Sequence, residues 1–367
     1  MMDNFYSSLK VLESKDRPFS PAERLRAAEG PLLSWYRENR RILPWREDPK
    51  PYRVWISEIM LQQTRVEAVK PYFARFMAAL PDIPALASVE EEILLKLWEG
   101  LGYYNRARNL QKAAQKLTVE YGGEMPASYE AILELPGIGS YTAGAIASIA
   151  FGIAEPAVDG NVLRVLARLL NDSEEINKDS VKKRAEQLIR ENMPKDCPGD
   201  YNQALIELGA IVCLPNGKPL CESCPLSFLC LARKAGTEES LPVKMVKKPR
   251  KIEERTVFLL EWENKTAIRR RSSKGLLASM YEFPNILSHV TGEEIPEALG
   301  LQKEEILSVQ PLPASTHIFS HVEWHMIGYR VKLSGEHPEK YQMVKTEEIL
   351  AKYPLPNAFR VYTKALM

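Results

Sequence analysis

Glu58 is an acid among apolar neighbours. It stands in Val54-Trp55-Ile56-Ser57-Glu58-Ile59-Met60-Leu61-Gln62-Gln63-Thr64, flanked by Ile56, Ile59 and Met60. On a short helix such neighbours strip water from a carboxyl, which raises its pKa and keeps a proton available near neutrality. Glu58 is therefore a candidate general acid, against the plainer reading of a solvated glutamate on a helix face. A second acid, Asp159, opens Asp159-Gly160-Asn161-Val162-Leu163-Arg164. On the residues alone it is a natural helix N-cap.

The segment Leu135-Pro136-Gly137-Ile138-Gly139-Ser140-Tyr141-Thr142 has two glycines one residue apart before a run of small residues. Such a turn aims free N–H groups outward at a helix N-terminus, where phosphate binds readily; an ordinary tight corner between helices is the alternative. Four of the five cysteines, Cys213, Cys221, Cys224 and Cys230, fall in a C-x7-C-x2-C-x5-C cluster. Four thiolates at that spacing suit tetrahedral zinc or a [4Fe-4S] cluster, and spacing does not choose between them. Cys197, outside the cluster, reads as a structural or incidental thiol. All five histidines lie at or beyond His289. Chemistry earlier in the chain must run on carboxylates, Tyr, Lys or a metal, which excludes a Ser-His-Asp or Cys-His mechanism there.

The elements that position these residues are helical from Ser20 to about residue 235. Ser20, Pro21 and Glu23 predict a capped helix start, and Ser88 with Glu91 repeats the S-x-x-E spacing. Further helices are expected over 52–63, 66–80, 104–121, 129–133, 141–151, 161–170, 181–192 and 201–212, with Gly102, Gly122 and Gly123 as stops. Pro242, Pro249 and the run Lys247, Lys248, Arg250, Lys251 mark a basic extended linker over 236–254. Strands are expected over 256–262, 266–271, 318–332 and 341–344, with short helices over 296–299 and 347–352, giving a compact α+β module over 255–367.

The 367 residues suffice for two domains, and 45% hydrophobic content fits a folded chain. A net charge of +1 carries no nucleic-acid signature as a whole. Divided at residue 240, however, the first part has 30 bases and 33 acids and the second 19 and 15. DNA binding, if present, must rest on local phosphate contacts such as those at Gly137–Gly139. The longest apolar stretch, Ala143 to Ala154, is too short for a bilayer, and the first twenty residues lack an apolar segment or an Arg-rich, acid-poor character. A soluble cytosolic protein is expected, with no membrane partner. His317, His321 and His325, at four-residue intervals on one expected strand, are too far apart for one zinc.

In order, P-W-R (44–46), S-E-I-M-L-Q-Q-T-R-V (57–66), G-L-G-Y-Y-N-R-A-R-N-L (100–110), L-P-G-I-G-S-Y-T-A (135–143) and V-D-G-N-V-x-R (158–164) make the chain similar to the MutY-type adenine DNA glycosylases, endonuclease III-like members of the helix-hairpin-helix superfamily. The resemblance is strong over about Arg24 to Cys230. It is looser over 255–367, where Gly275-Leu276-Leu277, Glu282-Phe283-Pro284 and Thr316 to His321 resemble the Nudix-like recognition domain. The acid cluster of a Nudix hydrolase is absent from this stretch. The implied architecture is a mainly α glycosylase body over 21–235 with an iron-sulfur loop at 213–230, joined to the α+β Nudix-like domain, with 1–20 an N-terminal extension.

The resemblance further implies hydrolysis of the N-glycosidic bond of adenine opposite 8-oxoguanine or guanine in duplex DNA. Glu58 would be the general acid and Asp159 would stabilise the sugar cation, with Tyr141 and Asn161 in support. Tyr141 stands where bifunctional relatives carry lysine, so a monofunctional enzyme is implied. Trp45 and Arg46 would line the adenine pocket, Gln63 and Tyr103 wedge into the stack, and Thr64 and Leu101 lie beside the opposite base. Gly137, Ile138 and Gly139 would hold phosphate, while Phe319, Ser320 and His321 read 8-oxoguanine. One [4Fe-4S] cluster on the four cysteines is implied, although seven residues separate the first two where the family usually has six. Only Lys218 makes that loop basic. A bacterial, monomeric, nucleoid-associated enzyme completes the expectation.

Overall fold

The computed structural model describes residues 18–245, 249–336 and 341–366. Most of the N-terminal extension, and Lys247 and Lys248 of the linker, therefore lie outside the described residues. The chain divides into two compact units. The first holds the described residues up to Met77, Asp82–Ala87 and Lys112 onward to the linker; the second holds Ala78–Pro81, Ser88–Gln111 and the C-terminal sheet.

In the first unit the helix Pro21–Asn39 begins as its sequence dictates. The Ser20 side chain accepts from the Glu23 amide, and the Glu23 carboxylate accepts from the Ser20 amide at 2.8 Å. Behind it follow Pro44–Glu47, Pro51–Leu61, Val66–Ala79, Ser140–Phe151, Gly160–Leu169, Asp179–Asn192 and Pro198–Ile211. Most expected ends fall within three residues of the observed ones, because caps and prolines are local signals. One core joins Leu25, Leu32 and Tyr36 to Val162, Leu166, Ile189 and Leu205. Each fully buried side chain of this kind contributes about 1.5 to 3 kcal/mol. Among the described residues no helix is long and apolar enough to cross a membrane.

The Ser88 cap is not formed. Ser88 ends the helix Ile83–Ser88, and the next helix, Glu91–Leu97, is preceded by Glu90 without a side-chain cap bond. Glu91 instead pairs with Arg108 at 2.6 Å and with Arg270 at 3.3 Å, so charge pairing takes the side chain that a capping box would use.

The second unit carries a mixed seven-stranded sheet in the order β3-β2-β1-β6-β5, with β4 beside β1 and β7 beside β2. The strands are β1 (Lys251–Trp262), β2 (Lys265–Arg270), β3 (Tyr281–Glu282), β4 (Asn285–Ile286), β5 (Ile306–Ile318), β6 (Val322–Leu333) and β7 (Gln342–Lys345). β1 runs parallel to β6, from Lys251 beside Val322 to Glu261 beside Lys332. Alternation puts Val257 and Leu259 in a core with Trp324, Met326 and Phe359, while Phe258 and Leu260 join Ile295, Leu299 and Val331 on the other face.

Two expectations change here. The linker ends earlier than expected, because β1 starts at Lys251 where pairing with β6 begins. The single strand expected over 318–332 is β6 of a hairpin whose other arm, β5, carries Pro311 and Pro313. Prolines demote a run in sequence, yet an edge strand tolerates them because one of its sides needs no N–H donors. His317 and His325 consequently lie on neighbouring strands and on opposite faces of the sheet, with His317 paired to Trp324 and Thr316 to His325, rather than along one strand.

Candidate active site

Glu58 comes to its place because the helix Pro51–Leu61 is apolar around it: Val54, Trp55, Ile56, Ile59 and Met60 are all buried, and Glu58 with them. Tyr141, 83 residues later, sits in the first turn of Ser140–Phe151 and its hydroxyl donates to Glu58 Oε2 at 2.5 Å. Asp159 caps Gly160–Leu169, accepting from the Asn161 and Val162 amides at 2.8 and 2.9 Å. Its other oxygen accepts from Asn161 Nδ2 at 2.6 Å. Asp159 is thus both an N-cap and a member of the site. Arg164 Nη2 donates to Asn161 Oδ1 and to the Gly209 carbonyl, and Arg164 Nε donates to the Cys213 carbonyl.

Glu58, Tyr141, Asp159 and Asn161 line one pocket of about 890 Å³, together with Trp45, Arg46, Gln63 and Thr64. Burial raises the Glu58 carboxyl to about 7, and the charge of Asp159 adds to the rise, while Tyr141 and Arg46 oppose it. Burial also raises Asp159 above the ordinary carboxyl range, but four hydrogen-bonding and cationic influences from Val162, Asn161 and Arg164 pull against it. Near neutrality Glu58 can therefore still donate a proton, while the donors around Asp159 favour its charged form against burial. Tyr141 is held well above its ordinary value by burial and by the two acids, so it stays a donor.

The small residues of Ser140–Phe151 serve a close approach. A Cβ on Gly144 would lie 2.0 Å from the Pro156 carbonyl oxygen, and one on Gly209 would lie 2.6 Å from Asn161 Cβ. Gly144→Ala is expected to push Pro156 and Ala157 away, shift Asp159 with them, and cost about 1 to 3 kcal/mol in overpacking. Thermal denaturation and base-release rates on the same preparation measure both effects.

Gly137 has φ of 78°, which leaves the backbone in the left-handed region, and Gly139 begins Ser140–Phe151 without a side-chain cap bond. The Ser140 hydroxyl is turned to Glu186 at 2.7 Å, and Ile138 is buried. The turn thus keeps its first helical N–H groups from side-chain caps, an arrangement suited to an anion.

Gln63 and Tyr103 hold left-handed φ values of 59° and 49°, strain of the kind found at functional sites. Tyr103 lies in the second unit, half exposed, with Arg106 5.6 Å from its ring centre and donating to the Leu101 and Gly102 carbonyls. Leu101, two residues before it, is buried at 6% exposure. The turn Phe319-Ser320-His321 joins β5 to β6. Phe319 packs edge-on against Trp324 at 4.8 Å, Ser320 and His321 are exposed, and the Ser320 and Tyr103 hydroxyls are 3.3 Å apart.

Cys213, Cys221, Cys224 and Cys230 line one small cavity with Val165, Leu169 and Arg168. None is in a disulfide. Arg168 Nη1 donates to Cys213 Sγ at 3.2 Å. Burial pushes the Cys224 thiol up to about 12, and the other three cysteines add to it. Among the described residues no three His, Cys, Asp or Glu side chains are drawn tightly enough together to hold a metal ion. The shared cavity and the all-sulfur donor set nonetheless fit a group that binds four thiolates.

Sequence reasoning missed Arg41, which lines the pocket, and Glu207, which holds it. Glu207, fully buried, accepts from Arg41 Nε at 2.7 Å, Arg41 Nη2 at 2.9 Å and Arg46 Nη2 at 2.9 Å. The signal was there, an acid within Ala204-Leu205-Ile206-Glu207-Leu208-Gly209, the same pattern that marked Glu58.

Residues 56–191 match the family described as HhH-GPD superfamily base excision DNA repair protein, and residues 256–365 match a NUDIX domain. The human adenine DNA glycosylase is 35% identical over 382 residues, 87% of this chain and 69% of its own. That of Buchnera aphidicola subsp. Acyrthosiphon pisum is 35% identical over 305 residues, 82% of this chain and 85% of its own. Among solved structures, a thermostable thymine-DNA glycosylase is similar with a TM-score of 0.53 at 30% identity, covering 58% of this chain and 98% of that one. Endonuclease III in a non-covalent DNA complex has a TM-score of 0.51 at 27% identity, covering 60% of this chain and 99% of that one. With a helical body, a sheet-containing second unit and two carboxylates lining one pocket, the chain belongs to the adenine DNA glycosylases, helix-hairpin-helix enzymes of base excision repair.

Proposed function

We propose that this enzyme removes adenine mispaired with 8-oxoguanine, and with guanine, from duplex DNA, acting as a monomer in a DNA-containing, reducing compartment. The observation that carries the reading is the pair of carboxylates in one pocket, Glu58 raised to about 7 and Asp159 fixed by three hydrogen bonds. Adenine leaves deoxyribose poorly unless it is protonated, and positive charge then builds on the sugar. Glu58 gives the proton to the base. Asp159 stays ionised and stabilises the sugar cation, and water completes the hydrolysis. Tyr141 orients Glu58 through Oε2, leaving Oε1 to face the base, and Asn161 fixes Asp159. A tyrosine hydroxyl forms no Schiff base with the sugar aldehyde, so strand cleavage by β-elimination is not part of the activity.

The base must leave the helix stack to reach the pocket. Gln63 and Tyr103, held in strained backbone, fill the gap, with Thr64 beside the opposite base and Trp45 and Arg46 on the adenine. The N–H groups of Gly137 and Gly139 take a backbone phosphate, while that of Ile138 is given to the Leu135 carbonyl and closes the turn. Phe319, Ser320 and His321 read 8-oxoguanine. Cys213, Cys221, Cys224 and Cys230, which line one cavity, would hold one [4Fe-4S] cluster and with it brace the loop after Pro198–Ile211.

Single-turnover base release from duplexes with adenine opposite 8-oxoguanine, guanine or thymine tests the reading. Release is expected from the first two and not the third, without β-elimination products; no release opposite 8-oxoguanine sinks it. Ser320→Ala is expected to narrow the preference for 8-oxoguanine over guanine, by about 1 kcal/mol for a lost neutral hydrogen bond. The ratio of the two rates reads it.

A further inference from the structure

Glu207 lies on Pro198–Ile211, far in sequence from the acids of the pocket, and is wholly buried. An isolated carboxylate there would be costly, yet it accepts four hydrogen bonds: from the Arg41 amide at 3.0 Å, Arg41 Nε, Arg41 Nη2 and Arg46 Nη2. Arg46 is pinned a second way, donating from Nη1 to the Arg41 carbonyl at 3.2 Å. Both arginines line the same pocket as Glu58. The other charged or titratable groups on that wall are Arg65, Asp159, Lys182 and Tyr141.

We infer that Glu207 is a positioning residue for proton transfer: it fixes the Arg46 guanidinium on the pocket wall and cancels one of the two arginine charges on the wall of the pocket that holds Glu58. The inference rests on the reading of Glu58 as the general acid. Two guanidiniums and one carboxylate leave a net single positive charge beside the acid. Removing the carboxylate leaves two, and removing Arg41 leaves none. Burial works against ionisation of Glu207, but the arginine hydrogen bonds win and hold it at about 2, so it stays charged across the working range. Arg46 is among the groups that draw Glu58 down. Its field on the acid is therefore set by how much of its charge Glu207 absorbs.

The two neighbours must then act in opposite directions on the basic limb of the pH–rate profile, where Glu58 loses its proton. Glu207→Gln moves that limb down by about one pH unit, which lowers single-turnover release roughly tenfold on the alkaline side and less than about twofold below the limb. Arg41→Gln moves it up. Glu207→Asp keeps the charge and leaves the limb where wild type has it, whatever it does to the rate. A residue that merely holds the fold together changes the rate equally at every pH.

The experiment is single-turnover adenine release from an 8-oxoguanine:adenine duplex over the pH range, with full-length wild-type, Glu207→Gln, Glu207→Asp and Arg41→Gln proteins. Opposed shifts of the limb support the inference. A limb unmoved in both Gln variants overturns it while leaving the Glu58 reading intact, since wild type still shows its own limb. A wild type that releases no adenine, or shows no such limb, overturns both. Should Glu207→Gln fail to fold, Arg41→Gln decides alone: its side chain is one-third exposed, and an unshifted limb overturns the inference.

Discussion

Glu58→Gln is expected to abolish adenine release, with single-turnover rates lower by about 10³-fold or more while the protein still binds the mispaired duplex. The amide keeps the shape of the carboxyl and can still accept the Tyr141 hydroxyl bond, so the pocket stays built. What it lacks is a proton to give. Equilibrium binding to an 8-oxoguanine:adenine duplex, measured beside the rate, separates the two effects. A fully active variant would refute the acid assignment. The wild-type rate should fall as pH rises through about 7, since burial keeps Glu58 protonated up to that point. The sign for stability is the same. The folded carboxyl holds its proton to a higher pH than the unfolded one, so stability is lost as pH climbs from the ordinary carboxyl range through about 7. In Glu58→Gln that part of the pH dependence should vanish.

Asp159→Asn makes a sharper division between structure and chemistry. Asn caps helices about as well as Asp, so the Asn161 and Val162 amides keep an acceptor and the helix Gly160–Leu169 keeps its start. Thermal stability should stay within about 1 kcal/mol of wild type. The negative charge facing the sugar is gone, and adenine release should fall about 10²- to 10³-fold, the size of effect seen when one electrostatic partner of a transition state is lost. A second signature accompanies it. Asp159 is one of the groups that raise Glu58, so the basic limb of the pH profile should move down in the residual activity. A variant with undiminished release would leave Asp159 as a cap and nothing more.

Helix Tyr129–Leu133 and the start at Pro21 could be read from the chain because caps, prolines and apolar periodicity act over three or four neighbours. The same locality misled at Ser88, where the S-x-x-E spacing was present but Glu91 found Arg108 and Arg270 instead. The strand β5 escaped because Pro311 and Pro313 argue against pairing unless one knows that the strand lies at a sheet edge. At the site, Glu58 and Asp159 were marked by their immediate neighbours and by motif order. Leu101 and Tyr103 belong to one motif, and only the fold shows that the first is buried and the second exposed.

The residues alone established the helical body and the sheet-bearing second part, and picked out the four-cysteine loop and the two acids as candidates, since each is written in contiguous stretches whose local physics differs little between chain and fold. They left Asp159 between a cap and a catalytic group, and the structure shows the cap and also sets the carboxylate in the pocket with Glu58. Charge was read least well. A count near zero hides a carboxylate that meets Arg41 across 166 residues and Arg46 across 161. The strength of such a group depends on the water removed from around it and the cations brought beside it, and both of these are created by packing rather than by order along the chain.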